Sequence, residues 1–563
     1  MSTTENTRLA DTSAPLDVLL VDAALGPIRR LVPDRSTAKW AASLVRKPRT
    51  TVRRLGGLGA ETLRIVTGGS DVAPRRGDRR FADTGWTENP LLRRLMQLYL
   101  AGGDTLEKLV ADADLDSRDR ERVRFLVENL VEAGSPSNVP LVNPASAKAV
   151  IDTAGLSLAR GARQLVKDLA SAPRIPEMVE TSGFTLGENI AGTPGAVVFR
   201  NDVLELIQYE PQCDEVYDVP VLIVPPTINK FYAIDLAPGR SLVEYSVQQH
   251  RQMFVISWRN PDLRHADWGF DTYVASILEA LDAVEEITGS ARTALAGICS
   301  GGILASIVAA YLAGIGRQDR LAGVLLAVTV IDNRGAGTIS ALADPRIAEQ
   351  AKARSARKGY LDGRSLAEVF AWLRPNDLIW SYWVNNYLLG KRPPAFDILF
   401  WNADTTRMTA ALHHDFVDLA MENQLTEPGG LSVLGVPIDL GQVSVDSYIV
   451  AGVADHITPW ENCYRTTQLF GGETRFVLST SGHIAALVNP PGNPKASFHT
   501  NDEHGPDSRT WLKGAETHEG SWWPDVSRWL DERSGELKPA PKELGSIRLQ
   551  PLAEAPGTYV FDK

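Results

Sequence analysis

Residues 292–314 read RTALAGICSGGILASIVAAYLAG, and this stretch decides the fold. An apolar run leads to Gly297, Cys299 and a pair of glycines, and a second apolar run rich in alanine follows. This spacing is typical of a nucleophile elbow, a sharp turn between a strand and a helix that usually presents a serine. The stretch therefore predicts a strand, a thiol on a tight turn and a helix. The alternative is a buried cysteine at a glycine-rich turn, because free cysteine is often a core residue.

Short apolar segments lie on both sides of this turn, and from residue 219 onward they alternate with helical stretches such as TYVASILEALDAVEEITG. The segments are AVVFRN (196–201), VLELIQY (203–209), VPVLIVPP (219–226), QMFVISW (252–258) and LAGVLLAVTVID (321–332). Strands that alternate with helices predict an α/β fold with a mainly parallel sheet covered on both faces. The first two segments predict an antiparallel hairpin that leads into this sheet.

The alternation stops between residues 333 and about 435, where aromatic residues are frequent. They include Trp372, Trp380, Tyr382, Trp383, Tyr387 and Trp401. Strand patterns then return in VDSYIVAGVADHITP (445–459) and TRFVLSTSGHIAALV (474–488). An insertion before the last strands of an open sheet predicts a cap over the site.

Residues 1–185 predict a mostly helical N-terminal region, and residues 186–563 the catalytic domain with its cap insertion. Apolar positions over residues 89–134 recur at spacings of three and four, which predicts two or three helices. Residues 15–32, PLDVLLVDAALGPIRRLV, could form an amphipathic helix. Core packing and attachment to a surface both remain open for that helix.

Composition narrows the class of protein. The chain has 563 residues, of which 44% are hydrophobic and 23% charged, and its formal net charge is -11. That balance argues against a general nucleic-acid binder, which needs cations to neutralise phosphates. The three cysteines include no CxxC pair, so neither a disulfide framework nor a zinc site is indicated. A polar start and the absence of a long apolar run favour a soluble cytoplasmic protein.

A thiol at an elbow needs a base, and the base needs an acid to orient it. In this architecture the chain order is nucleophile, acid, histidine. Asp455 follows one late strand directly and His483 follows the next strand. We therefore predict Cys299, Asp455 and His483 as the catalytic residues, with Asp332, at the end of 321–332, as the second candidate acid.

Other histidines compete less well for the role of base. His456 adjoins Asp455, but neighbouring side chains after a strand point in different directions. His413 and His414 lie in the predicted cap and are interpreted as surface or packing residues. No spacing of histidines and carboxylates resembles a metal site, and no phosphate-binding glycine loop occurs. We therefore predict no metal and no cofactor.

An oxyanion hole needs two backbone N–H groups. Ser300, directly after the nucleophile, supplies the first. The second lies near Thr227 and Ile228, because Pro225 and Pro226 before them have no N–H to donate. Ile228 is the predicted donor.

The choice of cysteine points to acyl transfer. Attack of a thiol on an acyl thioester gives another thioester, so the acyl group stays activated. A serine would give an oxyester and lose transfer potential. A neighbouring His–Asp pair also raises the thiolate population.

With these residues in place, the chain resembles the polyhydroxyalkanoate synthases of the single-subunit type. Stretches similar to that family include NPLLRRLMQLYL (89–100), VPPTINKFYAIDLAPGRSLVEY (224–245), GICSGG (297–302), IWSYWVNNYLLGKRPPAFDILFWNADTTRM (379–408) and SGHIAALVNPP (481–491). One departure is YSVQQHRQMFVISW (245–258), where the family more often has glycine near His250.

The resemblance implies an α/β-hydrolase fold with its triad on Cys299, Asp455 and His483. It implies an (R)-3-hydroxyacyl-CoA substrate, a polyester product, release of CoA, a homodimer and residence on polyhydroxyalkanoate granules. It leaves open whether His483 or Asp455 activates the incoming hydroxyl. The aromatic residues of the cap would close the acyl tunnel.

Two rival functions remain. A thiol-dependent hydrolase or thioesterase of the same fold would release free hydroxy acid. A non-catalytic granule-coating protein would have kept the fold alone, although intact Cys299, Asp455 and His483 argue against it.

Overall fold

The predicted strands form one mixed sheet. A computed structural model describes residues 16–26, 32–170, 173–334, 345–455 and 457–563. Within these residues one sheet has eleven strands, which are β1 Gly195–Arg200, β2 Leu204–Tyr209, β4 Val221–Val224, β5 Met253–Trp258, β6 Thr293–Ile298, β7 Leu321–Ala327, β12 Ser447–Gly452, β13 Thr474–Ser479, β14 Ser497–Thr500, β15 Glu516–Glu519 and β17 Ala553–Glu554. Across the sheet these strands lie in the order β15-β14-β13-β12-β7-β6-β4-β5-β2-β1-β17.

Short strands outside the sheet form three antiparallel pairs in the described ranges. They are β3 Glu215–Tyr217 with β16 Leu537–Pro539, β8 Tyr360–Leu361 with β9 Met408–Thr409, and β10 Leu431–Val433 with β11 Val436–Ile438.

The centre of the sheet is parallel, as the alternation predicts. Strands β5, β4, β6, β7, β12 and β13 run in the same direction, and the predicted hairpin β1–β2 joins them antiparallel through β5. Alternate residues of β4 enter different cores: Leu222 and Val224 pack on one face of the sheet, and Val221 and Ile223 pack on the other. Both faces are therefore covered, which explains why these strands read as continuous apolar runs.

Strand β7 is shorter than the predicted segment 321–332. It ends at Ala327 because Val328 has a φ of 46°, outside the extended region. The Val328 N–H still donates to the carbonyl of Val450 at 2.8 Å, so the turn stays attached to β12.

Nineteen α-helices lie in the described ranges. Those before the sheet are α1 Leu16–Leu25, α2 Arg35–Arg46, α3 Pro48–Thr67, α4 Gly85–Glu88, α5 Pro90–Ala111, α6 Ser117–Ala133, α7 Pro144–Asp152 and α8 Leu156–Ala170. The remainder are α9 Leu242–Gln248, α10 Phe270–Thr288, α11 Ser300–Gly314, α12 Pro345–Lys358, α13 Gly363–Leu373, α14 Asp397–Ala403, α15 Ala410–Glu422, α16 Trp460–Arg465, α17 His483–Leu487, α18 Ser508–Gly514 and α19 Trp523–Asp531.

Helix α1 packs in the interior of the protein. Its residues Leu20, Ala23 and Ala24 are buried in the same apolar core as α10 and α11. Pro15 and residues 27–31 of the predicted amphipathic segment lie outside the described residues. For the part that is described, core packing holds, and the helix reaches the core through α12, α13 and α15.

We use the name cap segment for the described residues 345–435. Several of its aromatic residues face the N-terminal helices: Trp383 donates through Nε1 to the Asn138 carbonyl at 3.1 Å, and the Tyr387 hydroxyl donates to Asp168 at 2.7 Å. Trp372, Trp380 and Tyr382 surround buried Ile175 and Met178. These residues therefore join two parts of the chain, and sequence alone did not indicate that task. The limits of the domains at residues 185, 333 and 435 stay predictions.

The departure near His250 has a structural counterpart. His250 has a φ of 63°, in the left-handed region that glycine adopts at low cost. Its Nδ1 lies 2.9 Å from the Glu215 carbonyl, which helps to hold a histidine at this position.

Among the described helices we find none that combines the length and the hydrophobicity needed to span a bilayer.

Candidate active site

Cys299 occupies the turn between β6 and α11, as predicted. Its backbone has φ 51° and ψ −120°, a strained conformation for a residue with a side chain. Its N–H donates to the Ala327 carbonyl at the end of β7 at 2.9 Å, and the side chain is buried. The turn is thus held by the neighbouring strand, and the thiol faces the interior.

The glycines around Cys299 are required by close backbone packing. A Cβ on Gly301 would lie 2.3 Å from the Val224 carbonyl oxygen, and one on Gly297 would lie 2.5 Å from the Cα of Gly302. A Cβ on Gly302 would lie 2.0 Å from Oγ1 of Thr329. Only residues without a side chain allow α11 to begin this close to β4 and β7.

Asp455 and His483 meet at the ends of β12 and β13. The two strands run parallel and in register, so the loops after them lie side by side. Nδ1 of His483 donates to Oδ2 of Asp455 at 2.7 Å. The other Asp455 oxygen accepts the backbone N–H groups of Ile457 at 2.8 Å and Thr458 at 2.9 Å. Asp455 is therefore fixed as a hydrogen-bond acceptor, and Nε2 of His483 is left for another partner.

The charges of this pair stabilise each other. Burial alone would lower the pKa of His483, but the charge and hydrogen bond of Asp455, with a further contribution from the Cys299 thiol, raise it to about 10. Burial alone would raise the pKa of Asp455, but His483 and Thr458 lower it. Cys299 and Thr458 line the same small cavity, and Oγ1 of Thr458 lies 3.2 Å from Nδ1 of His483, so the thiol and the Asp–His pair lie in one region of the protein. That the three residues act together as a triad stays a prediction.

The predicted oxyanion donors lie at the start of α11 and in the loop after β4. The Thr227 N–H donates to the Ser300 hydroxyl at 3.0 Å, so Thr227 is already engaged. For the N–H groups of Ser300 and Ile228 we find no acceptor in the part of the chain that the structure describes. Both therefore stay candidates, as the sequence predicted.

The competing residues have other partners. Asp332 binds Arg334 at 3.1 Å and Asn423 at 3.1 Å and is not the partner of His483. His413 is buried between Ser355 and the Leu20 carbonyl, and His414 contacts the Lys352 carbonyl at 2.9 Å. His456 lies outside the described residues.

Cys463 is buried near the site, and burial raises its pKa well above the ordinary value. Its thiol contacts the Thr458 carbonyl at 3.8 Å. Cys213 contacts the Val247 carbonyl at 3.8 Å. It follows β2, whose end pairs with the start of β5, so Cys213 lies at the edge of the sheet opposite the triad loops. Within the described residues neither thiol is hydrogen-bonded to a histidine.

Thr458 was not among the predicted site residues. Its hydroxyl donates to Oδ2 of Asp455 and lies 3.2 Å from Nδ1 of His483. The signal was available in DHITP (455–459), because an aspartate followed three residues later by threonine is typical of a side-chain-capped turn.

A small cavity of about 30 Å³ adjoins the thiol. Its apolar wall comes from α1, α11, α15 and the loop after β7. Its polar wall consists of Cys299, Thr458 and Asn333. The lining residues are Leu20, Cys299, Ile303, Val330, Asn333, Phe416, Leu419, Ala420 and Thr458.

A parallel sheet with a cysteine elbow after β6 and an Asp–His pair after β12 and β13 defines an enzyme of the α/β-hydrolase fold. A family profile described as "alpha/beta hydrolase fold" matches residues 220–490. A second profile, "Poly-beta-hydroxybutyrate polymerase (PhaC) N-terminus", matches residues 77–246.

Curated relatives named as poly(3-hydroxyalkanoate) polymerases match most of this chain. Poly(3-hydroxyalkanoate) polymerase 1 of Ectopseudomonas oleovorans is 45% identical over 519 residues, which cover 92% of this chain and 92% of that protein. The polymerase subunit PhaC of Cupriavidus necator is 39% identical over 497 residues, 86% of this chain and 83% of that protein. An esterase structure from Thermogutta terrifontis aligns with 61% of this chain and 98% of its own at 13% identity and a TM-score of 0.34. The chain belongs to the poly(3-hydroxyalkanoate) polymerase family, and it is an enzyme of that transferase class.

Proposed function

We propose that this chain polymerises (R)-3-hydroxyacyl-CoA into polyhydroxyalkanoate and releases CoA, through a thioester between the growing acyl group and Cys299. Membership of the polymerase family supports the substrate class. The observation that carries the mechanism is the buried hydrogen bond between His483 and Asp455, with Cys299 lining the cavity that also borders Thr458 beside this pair. No metal or cofactor is needed for this chemistry.

In the first half-reaction Nε2 of His483 accepts the proton of the Cys299 thiol, and the thiolate attacks the carbonyl carbon of the acyl-CoA. The negative charge that develops on the carbonyl oxygen is stabilised by the N–H groups of Ser300 and Ile228. The bond to the CoA sulfur then breaks, and His483 returns the proton to that sulfur. Because one thioester replaces another, the acyl group keeps its energy for transfer.

In the second half-reaction the 3-hydroxyl of another unit attacks the acyl thioester. We assign its deprotonation to His483 rather than to Asp455. The oxygens of Asp455 already accept from His483, Ile457 and Thr458, so they have no open side for a substrate hydroxyl. The new ester bond forms, and His483 gives the proton back to the sulfur of Cys299.

Transfer is favoured over hydrolysis because water has little room at the thiol. Cys299 is 3% exposed and His483 9% exposed, and the adjoining cavity has a mostly apolar wall. A thiol-dependent hydrolase must admit water to the acyl thioester, so hydrolysis is the second candidate function. Exclusion of water protects a reactive acyl intermediate in many enzymes.

Incubation with (R)-3-hydroxybutyryl-CoA and (R)-3-hydroxyoctanoyl-CoA separates the two functions. If the chain is a synthase, free CoA appears together with insoluble polyester. If it is a hydrolase, free CoA appears together with free hydroxy acid. Cys299→Ala should lower the rate of CoA release more than about a thousandfold, because the nucleophile is lost. Cys213→Ala, which removes a thiol remote from the triad, is the matched control and should keep the rate within about twofold. Full CoA release by Cys299→Ala would reject this mechanism.

We also propose, from the family resemblance, that the active form is a homodimer in the cytoplasm and that it resides on polyester granules. Sedimentation of the purified chain with and without hydroxyacyl-CoA tests the dimer. Retention of the chain on isolated granules after washing tests the second part. A monomer at full activity, or a chain that washes off, would contradict the corresponding part.

A further inference from the structure

Helix α1 reaches the active-site region from far away in the sequence. Its Leu20 is 1% exposed, and the Leu20 carbonyl accepts a hydrogen bond from Nε2 of His413 on α15 at 3.3 Å. The Leu25 carbonyl accepts from Arg354 on α12 at 3.0 Å. Two helices of the cap segment therefore hold α1 in place.

The side chain of Leu20 ends at the cavity beside Cys299. The facing wall consists of Phe416, Leu419 and Ala420 on α15, and Ile303 on α11 closes another side. The thiol lies at the polar end, next to Thr458. A group bound to the sulfur of Cys299 would thus meet apolar side chains as soon as it extends into the cavity.

We propose that Leu20 is a wall of the pocket that takes the alkyl side chain of the hydroxyacyl unit, and that it limits the length of that side chain. This inference rests on the proposed function. Hydroxyacyl units of different length share the same thioester and hydroxyl and differ in the alkyl group alone, so an apolar pocket beside the sulfur is where they can be discriminated.

The size of the cavity supports a limit on length. Its volume of about 30 Å³ is about two to three times the space of roughly 10–15 Å³ that a cavity needs to hold one water molecule. A short alkyl group therefore fits, and a longer one must displace a wall. Leu20 is the lining residue that comes from the N-terminal part of the chain, so its truncation enlarges the cavity without changing the elbow, α11 or the Asp–His pair.

The test compares full-length variants on two substrates. For each variant, kcat/KM for CoA release is measured with (R)-3-hydroxyoctanoyl-CoA and with (R)-3-hydroxybutyryl-CoA. Leu20→Ala should raise the ratio of the longer to the shorter substrate about tenfold, because each methylene that gains an apolar site is worth about fourfold in binding. Leu20→Phe should lower the ratio. A change in opposite directions does not follow from a general loss of stability.

Val21→Ala is the matched control. Val21 lies on the same helix, packs partly buried against the same core and does not line the cavity. It should leave the ratio within about twofold. The inference is overturned if the wild-type chain polymerises both substrates and neither Leu20 variant changes the ratio, or if Leu20→Ala accelerates both substrates equally. A wild-type chain that releases CoA from neither substrate would overturn the proposed function itself, and the inference with it.

Discussion

Two buried histidines, one at the carboxyl edge of the sheet and one in the cap segment, differ in the direction of their pKa. Burial lowers the pKa of both. At His483 the charge of Asp455 outweighs burial and raises the pKa to about 10. At His413 burial dominates, and the pKa falls to about 4. The side chains that face His413 are Ser355 and the neighbouring His414 and Lys352, none of which is an acid.

The difference shows that the charged partner, rather than burial, separates a candidate catalytic histidine from a packing one. It also reflects how the two regions are built. The edge of the sheet is fixed by strand register and by close approach of backbone at glycines. The cap segment and α1 are held by side chains from positions more than 300 residues apart, such as His413 and Leu20. Variants of Gly301, Asp455 and His413 each test one side of this contrast.

The largest effect is expected from filling the backbone contact at the elbow. Gly301→Ala places a Cβ 2.3 Å from the Val224 carbonyl oxygen and 2.4 Å from that of Pro225, so the start of α11 must shift. We expect a loss of more than about 3 kcal/mol in the free energy of unfolding, measured by denaturant titration.

The control for this variant is Gly102→Ala. Gly102 lies in α5, and nothing lies within 4 Å of the position that its Cβ would take. Alanine should stabilise that helix by about 0.5–1 kcal/mol. Equal effects of the two substitutions would show that backbone contact does not hold the elbow.

The next effect concerns alkaline pH. Folding raises the pKa of His483 from about 6.5 to about 10, so the folded chain binds this proton more tightly than the unfolded chain. The stabilisation that results is complete below about pH 6.5 and is lost as the pH rises toward 10. The wild-type chain should therefore lose up to about 1.4 kcal/mol per pH unit more than Asp455→Asn over this interval. Unfolding free energies at neutral and alkaline pH measure the difference, and parallel profiles would contradict it.

His413 predicts the opposite dependence, on the acid side. A pKa lowered to about 4 gives stability that is present above about pH 6.5 and is lost as the pH falls toward 4, because the unfolded chain takes up a proton first. His413→Phe should remove this slope, worth about 1–3 kcal/mol between neutral pH and pH 4.5. Hydrogen exchange of residues 16–25 should also increase in this variant, because the bond to Leu20 is lost. Unchanged exchange would show that α1 is held by apolar packing alone.

The smallest effect is expected at His250, away from both regions. His250→Gly and His250→Ala both lose the contact with Glu215, but only glycine relieves the φ of 63°. The glycine variant should be more stable than the alanine variant by about 1 kcal/mol in thermal or denaturant unfolding. An alanine variant of equal stability would mean that this turn carries no strain.

The elbow and the sheet were accessible to sequence reasoning because their signals are local. The glycines around Cys299 and the apolar runs before and after it specify strand, turn and helix within a few residues. Asp455 and His483 follow two adjacent strand patterns, and a parallel sheet brings such positions to one edge. Thr458 was equally local and was missed because its role depends on which oxygen of Asp455 it meets.

The packing of the segments that surround the site could not be predicted from sequence in the same way. The aromatic residues of the cap segment were expected over the thiol. Phe416 does line the cavity beside Cys299, but Trp383 and Tyr387 bind Asn138 and Asp168 of the N-terminal part. Aromatic side chains pack equally well in many places, and their number does not say which surface they face.

By itself, the sequence determined a parallel α/β sheet, a thiol at a strained turn and the positions of Asp455 and His483 after two adjacent strands, because backbone conformation and strand order are encoded over short distances. Only the tertiary structure decided that α1 closes the space beside Cys299 and that the pKa of one buried histidine rises while that of another falls. Those properties depend on which distant side chains come within a few ångströms of each other, and chain spacing does not specify that.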